Sequence, residues 1–278
     1  MTGTDLGALA RQLKALHGGP RILVLANAWD AASARILESD GFPAIATTSA
    51  GVAWCLGYGD GEKAPFSEVL AAIRRITRVV RVPVTADVEA GFGTTPRELA
   101  ETCRAVLDAG AVGMNLEDGR DDPAAPIAEI PEHAARVEAV REAADGRGVP
   151  LVVNARTDVY LRQVGRPEGR FDEAVRRAEA YRRAGADCIF VPGVSDAETI
   201  GRLARAIPAP VNVLAAPGTP PVAELERLGV ARLSVGSRAI GATSALLRRI
   251  GRELRERGTY GSLFADTIPY DEMNRLLA

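Results

Sequence analysis

The residues most able to do chemistry come in pairs spaced two apart: Asp87 and Glu89, Asn115 and Glu117, Asn154 and Arg156, with Asp118 and Asp158 just beyond the last two pairs. Residues i and i+2 of a strand point to the same side, so each pair near a strand end can face one ligand. Carboxylates converging from neighbouring strands repel one another unless a cation or proton sits between them. Asp87, Glu89 and Glu117 are therefore candidate ligands of a hard divalent ion, Mg²⁺ or Mn²⁺, which takes oxygen donors and often keeps water. A buried ion pair is the bland alternative. The Gly91-Phe92-Gly93 turn that follows Asp87 and Glu89 lets backbone approach closely and favours the metal reading. Arg156 either neutralises Glu117 or forks onto a ligand carboxylate or oxo group, and the two roles are compatible. Thr47, Thr48, Ser49 and Asn212 stand at other strand ends. Asp118 and Asp158, each just past a strand, read as helix N-caps. Asp60, in GYGDGE, reads on sequence alone as an ordinary turn acid, with Trp54 and Cys55 packed beneath its loop.

Other chemistries are poorly supplied. His17 and His133 lie far apart, without the spacing of a histidine-ligated transition metal. Cys55, Cys103 and Cys188 are an odd set without CxxC spacing, so reduced thiols are expected rather than a disulfide framework. Only Lys14 and Lys63 are lysines, and neither lies in an apolar strand, which disfavours a Schiff-base nucleophile.

The elements that position these residues read as eight βα units. Short Val- and Ile-rich runs at 21–27, 44–49, 82–89, 111–117, 149–156, 186–192, 209–215 and 231–237 alternate with stretches of helical period. Gly41, Gly110, Gly185 and Gly229 stop helices ahead of strands. The repeat predicts a single (β/α)8 barrel over residues 1–278, a fold that typically needs about 250 residues. Residues 1–20 add an N-terminal helix, and 239–278 a helical extension. Long connections at 50–65 and 118–130 leave the carboxyl ends of strands, the face where barrel active sites sit.

Composition narrows the class. The chain is 47% hydrophobic and 25% charged, as globular domains are. With Lys+Arg 34 against Asp+Glu 36 the formal charge is −2, so no global positive field attracts nucleic acid or anionic membrane. The N-terminus lacks the apolar core of a signal peptide, and a cytoplasmic protein is expected.

The motifs taken in series, NAWDAASARILESDGFPAIATTSAGVAWCLGYGDGE, PVTADVEAGFG, NLEDG, NARTD and PVNVLAAPG followed by ELERLGVARLSVGS, resemble the isocitrate lyase/phosphoenolpyruvate mutase superfamily over roughly residues 20–240. The resemblance implies a TIM barrel whose last long helix, near 239–257 here, is exchanged between subunits of a homodimer or homotetramer. It implies that Asp87 is the principal Mg²⁺ ligand, with Glu89 and Glu117 holding the ion directly or through water. Thr47, Thr48 and Ser49 would surround a substrate carboxylate, Arg156 and Asn212 would contact the substrate, and Asp60 would act in catalysis or hold a metal-bound water.

Departures from the superfamily pattern bear on which bond breaks. The lyases carry a mobile Lys-x-Cys-Gly-His lid after the fourth strand, and the mutases and phosphonopyruvate hydrolases a Lys-and-Asn-bearing one. This chain has DGRDDPAAPIAEI, without Cys, Lys, His or Asn. After the sixth strand, where relatives have Glu or His, it reads FVPGV. The expected activity is Mg²⁺-dependent cleavage or decarboxylation of a small 2-oxo acid such as oxaloacetate through a metal-stabilised enolate. The alternatives are a C–P hydrolase or mutase and a non-catalytic 2-oxo acid binding protein.

Overall fold

The computed structural model describes residues 5–278; residues 1–4 of the expected N-terminal segment lie outside it. In chain order the elements are α1 (Leu6–His17), β1 (Leu23–Leu25), β2 (Asn27–Ala28), α2 (Ala31–Ser39), β3 (Ile45–Thr47), α3 (Ser49–Leu56), α4 (Phe66–Val79), β4 (Val84–Asp87), α5 (Pro96–Asp108) and β5 (Gly113–Glu117). They continue with α6 (Ile130–Asp145), β6 (Val152–Arg156), α7 (Arg170–Arg183), β7 (Cys188–Phe190), α8 (Ala197–Ala206), β8 (Val211–Leu214), α9 (Val222–Arg227), β9 (Arg232–Ser234), α10 (Arg238–Arg257), α11 (Gly261–Phe264) and α12 (Tyr270–Leu277).

All strands are parallel, in the order β1-β9-β8-β7-β6-β5-β4-β3-β2. The two ends of this order belong to one stretch of chain. Leu23–Leu25 pairs with β9 and Asn27–Ala28 with β3, and the Ala26 carbonyl accepts from Ala46 N at 3.1 Å. The first predicted strand therefore bends at Ala26 and closes the barrel, which makes nine segments of the eight predicted strands. Gly41, Gly110, Gly185 and Gly229 all take positive φ, as expected of residues that stop a helix and turn the chain inward. Capping boxes at Asp30 and Thr95 fix the starts of α2 and α5.

Residues 50–65 do not form one long loop. Thr48 stands as the N-cap residue of α3, Gly57 ends it in the left-handed conformation, and only 57–65 remains irregular. Gly51, Val52 and Cys55 are weak helix formers, so this helix is held by packing, with Ala50, Gly51, Val52 and Ala53 buried. Trp54 and Cys55 are on the solvent side of this helix, not packed under a loop: Trp54 is 47% exposed.

The amino end of the barrel is plugged by α1. Leu13 is fully buried, and a methyl group at Gly113 would lie 2.8 Å from Leu13 Cδ2. With that end closed by apolar packing, ligand access is left to the carboxyl ends of the strands. The terminal α12 folds back on α2, where Leu276 O accepts from Arg35 Nε at 2.7 Å. Most of α10 stays exposed. No helix among the described residues is long and apolar enough to cross a membrane.

Candidate active site

Parallel register brings the polar strand ends to two successive levels. Asp87 is opposite Asn115, Asn115 opposite Asn154, and Glu117 opposite Arg156. Their side chains link in series: Asn154 Nδ2 donates to Asn115 Oδ1 at 2.7 Å, and Asn115 Nδ2 to Asp87 Oδ1 at 3.3 Å. The other Asp87 oxygen accepts from Ser49 N at 3.1 Å, at the first turn of α3, and Asp87 N donates to Thr47 Oγ1 at 2.8 Å. Helix starts present free N–H groups and positive potential, so this is where a carboxylate is stabilised.

Past Asp87 the chain makes a strained turn. Glu89 (φ 53°) and Phe92 (φ 52°) are left-handed although neither is glycine, as is Glu62 (φ 56°) in the facing 57–65 loop. Each such residue costs on the order of 1 kcal/mol or more and persists only where its surroundings fix it. Here the two turns brace each other. Glu62 N donates to Glu89 Oε2 at 3.0 Å, Phe92 N donates to Glu62 Oε1 at 2.7 Å, and Phe92 stacks on Phe66 with centroids 4.7 Å apart. Gly91 is required, since a methyl there would meet Leu99 Cδ1 at 2.1 Å.

Asp60, Glu62, Glu89 and Glu117 share a cavity of about 470 Å³ with Arg120 and Arg162. Burial pushes Glu89 up to about 7, with the charges of Asp60, Asp87 and Glu62 adding to the shift against one backbone hydrogen bond from Glu62. Asp60 is raised by burial and by the charge of Asp87, against the side chain of Ser49 and the backbone of Gly61. Glu62 is raised by burial against backbone N–H groups of the 90–92 turn. Burial likewise raises Glu117, against the pull of Arg156 at 2.5 Å. The cavity thus carries negative charge that the protein only partly balances, in a donor set made wholly of oxygen. That is the chemistry a hard cation fits. The acids are not drawn into a closed cage: among the described residues no three His, Cys, Asp or Glu side chains group to hold an ion. Such spacing suits an ion that keeps water between itself and some of its carboxylates.

The remaining sequence candidates fall as follows. Arg156 makes its ion pair with Glu117, as read from the sequence, and in addition donates from Nε and Nη2 to Asp158 at 2.6 and 3.1 Å. Thr48 is buried and makes no side-chain cap bond. Asn212 is fully buried and bonded to Ser234 Oγ at 3.2 Å, apart from the carboxylates. Asp118 and Asp158 are not helix caps. Asp118 accepts from Asp158 N at 2.8 Å, from Tyr181 Oη at 2.7 Å and from Arg177 Nη1 at 3.0 Å, while Asp158 holds Arg156 and Arg162. Both are fully buried, and a buried carboxylate requires such partners. Sequence reasoning missed Glu62, Arg120 and Arg162, all on irregular segments where no periodicity assigns a face.

The segment that stands in place of a lid is tied down. Gly119 bridges Ile127, Arg120 N donates to Pro126 O at 2.9 Å, Ala128 N to Asp118 O at 2.7 Å, and Arg162 Nη1 to Arg120 O at 2.6 Å. It forms a fixed wall of the cavity.

Comparison with known proteins agrees with this architecture. The family model for phosphoenolpyruvate phosphomutase matches residues 13–255. The 2-methylisocitrate lyase of Escherichia coli (strain K12) is 30% identical, over 84% of this chain and 80% of that protein. A crystal structure from Burkholderia cenocepacia J2315 superposes with a TM-score of 0.91 at 36% identity, covering 98% of this chain and 96% of its own. A phosphonopyruvate hydrolase crystallised with oxalate and Mg²⁺ has the same fold, with a TM-score of 0.84 at 24% identity and 96% and 94% coverage.

Proposed function

This chain belongs to the phosphoenolpyruvate mutase family of the isocitrate lyase superfamily, a family of lyase- and mutase-type enzymes, and from that premise we propose that it is a Mg²⁺-dependent carbon–carbon lyase acting on a small 2-oxo acid. The reaction is cleavage or decarboxylation at C3 of an oxaloacetate-like substrate. The observation that carries this reading is the set of under-neutralised acids in one cavity beside Asp87, from Asp60 at its exposed rim through Glu62 to the buried Glu89 and Glu117.

Asp87 would be the principal ligand of the ion, with Glu89 and Glu117 holding it directly or through water; Mn²⁺ would serve in the same donor set. When bound, the ion supplies Lewis-acid stabilisation of the enolate left as the C3 bond breaks. The chain's own groups do the rest. Thr47, Thr48 and Ser49 receive the substrate carboxylate at the start of α3. Arg156, held in plane by Asp158, orients the oxo or acidic group, and Asn212 adds a polar contact below. Asp60 moves a proton or orders a water at the cavity wall. The segment 118–128 supplies none of the Cys, Lys or His of the relatives' lids, and proton transfer is assigned to Asp60 at the cavity wall.

The other assignments follow from the same premise. The protein acts in the cytoplasm, on a small molecule rather than nucleic acid or membrane. It assembles as a homodimer or homotetramer through exchange of α10, supported by exposed Leu247, Phe264 and Tyr270.

The test is a screen of purified protein against oxaloacetate, 2-methylisocitrate, dimethylmalate and phosphonopyruvate, following pyruvate release with and without Mg²⁺. Mg²⁺-dependent pyruvate from a C–C substrate is the expected result. Phosphate release from phosphonopyruvate instead would move the chain to C–P hydrolysis, and binding without any turnover would make it a binding protein.

A further inference from the structure

The loop after β6 carries an arginine that the reading above does not use. Arg162 lines the cavity with its side chain 34% exposed. Its Nε donates to Asp158 Oδ2 at 3.0 Å and its Nη1 to Arg120 O at 2.6 Å, while Nη2 has no hydrogen-bond partner among the described residues. The same Asp158 carboxylate takes Nε and Nη2 of Arg156 at 2.6 and 3.1 Å. One fully buried acid therefore orients two guanidinium groups side by side. Beside them Arg120 and Arg136 share Glu132 in the same way, and Glu117 takes Nη1 of Arg156, so the acids of this wall hold its arginines in place and leave Arg162 Nη2 as the unused donor that faces the cavity.

The arrangement is seated on two glycines. A methyl at Gly119 would lie 2.7 Å from Asp158 Oδ2 and 3.0 Å from Arg162 Nε and Nη2. At Gly193, in the β7–α8 connection, it would lie 2.6 Å from Leu161 N and 2.7 Å from Leu161 Cα. No side chain fits at either place, so both neighbours of the 158–162 loop leave room for it to approach this closely. A fixed guanidinium with an unused N–H edge facing a cavity is built to take a carboxylate or similar oxyanion.

We infer that Arg162 is a recognition residue that forms, with Arg156, a two-arginine clamp for a second anionic group, so that the site selects 2-oxo acids bearing a distal carboxylate or phosphonate over those without one. This rests on the proposed function of the same cavity. The clamp does in a rigid loop what a closing lid would otherwise do, because Asp158 fixes both guanidinium groups before any ligand arrives.

The test is calorimetric titration, in the presence of Mg²⁺, of pyruvate, 3,3-difluorooxaloacetate and phosphonopyruvate into the full-length protein and its Arg162→Met and Arg162→Lys variants. The wild type is expected to bind the two dianionic ligands more tightly than pyruvate. In Arg162→Met that preference falls about tenfold or more, the ratio for loss of one charge-assisted contact. Arg162→Lys, which keeps the charge without the fork, falls between. Thermal unfolding of each variant separates misfolding from lost recognition, and Arg162→Lys carries the test if Arg162→Met does not fold. Tighter binding of either dianion by the wild type, with that preference reduced in the folded variants, supports the clamp and identifies the group it takes. A wild type that binds all three equally, or a preference unchanged in the folded variants, overturns the clamp and leaves the 2-oxo acid reading standing. No binding of any of the three by the wild type removes both.

Discussion

Glu117 and Asp118 are consecutive residues at the end of β5, yet the molecule treats them in opposite ways. Asp118 is buried with its oxygens filled by Tyr181, Arg177 and the Asp158 amide, and Asp158 beneath the next strand is filled by two arginines. Glu117 turns to the cavity, where Asp60, Glu62 and Glu89 gather and only Arg156 pairs with it. Acids whose lone pairs are all satisfied by fixed donors hold the scaffold together. Acids left short of donors in a desolvated cavity await a cation, and they weaken the fold until it comes. Removing an acid should therefore hurt either function or stability according to the set it belongs to.

The largest effect is expected at the cavity. Asp87→Ala should abolish Mg²⁺-dependent turnover, a loss beyond the roughly 10- to 100-fold typical of outer-shell residues, and should erase the heat of Mg²⁺ titration. Its unfolding midpoint in denaturant should fall less than that of the buried-set variant Asp118→Ala, because only Ser49 N and Asn115 Nδ2 lose their acceptor. In the buried set the pattern reverses. Asp118→Ala leaves Arg177 Nη1 and Tyr181 Oη without the carboxylate they share, with only Glu173 remaining on Arg177 Nε, and should cost about 3–5 kcal/mol, measured by denaturant unfolding. If that variant proves as stable as the wild type, the division between the two sets is wrong. Asp60→Asn should slow turnover by about a hundredfold while Mg²⁺ still binds, the signature of a lost proton-transfer group. Unchanged turnover would return Asp60 to an ordinary turn acid.

The smallest effect is in pH. Glu89 is raised from 4.5 to about 7 in the fold, so between those values the folded chain holds a proton that the unfolded chain has released. Stability from this group is complete below about pH 4.5 and is lost as pH rises through 7, opposite to the usual salt-bridged carboxylate. Metal-free protein should therefore lose stability across that window, and saturating Mg²⁺ should flatten the slope. A slope unaffected by Mg²⁺ would separate Glu89 from the ion.

Much of this was legible in the sequence because period and position carry it. The Val- and Ile-rich runs gave the barrel, and through parallel register the i, i+2 pairs brought Asp87 and Asn115 to one level and Glu117 and Arg156 to the next. What escaped depends on contacts that no local pattern encodes. Asp118 and Asp158 looked like caps because the partners that define Asp118, Arg177 and Tyr181, lie 59 and 63 residues further on. Residues 50–56 read as loop because the segment is too short and too uniformly apolar to show a helical stripe. Glu62 and Arg162 sit on loops, where a side chain's direction is set by neighbours such as Phe92 and Gly119 rather than by spacing.

The central claim is that the under-neutralised acids hold a divalent ion, and diffraction from crystals grown with Mn²⁺ tests it most directly. The account predicts an anomalous peak bonded to Asp87, with Glu89 and Glu117 around it directly or through one water. A peak bound elsewhere, or none at saturating Mn²⁺ with the Glu117–Arg156 pair closed over the site, would contradict it.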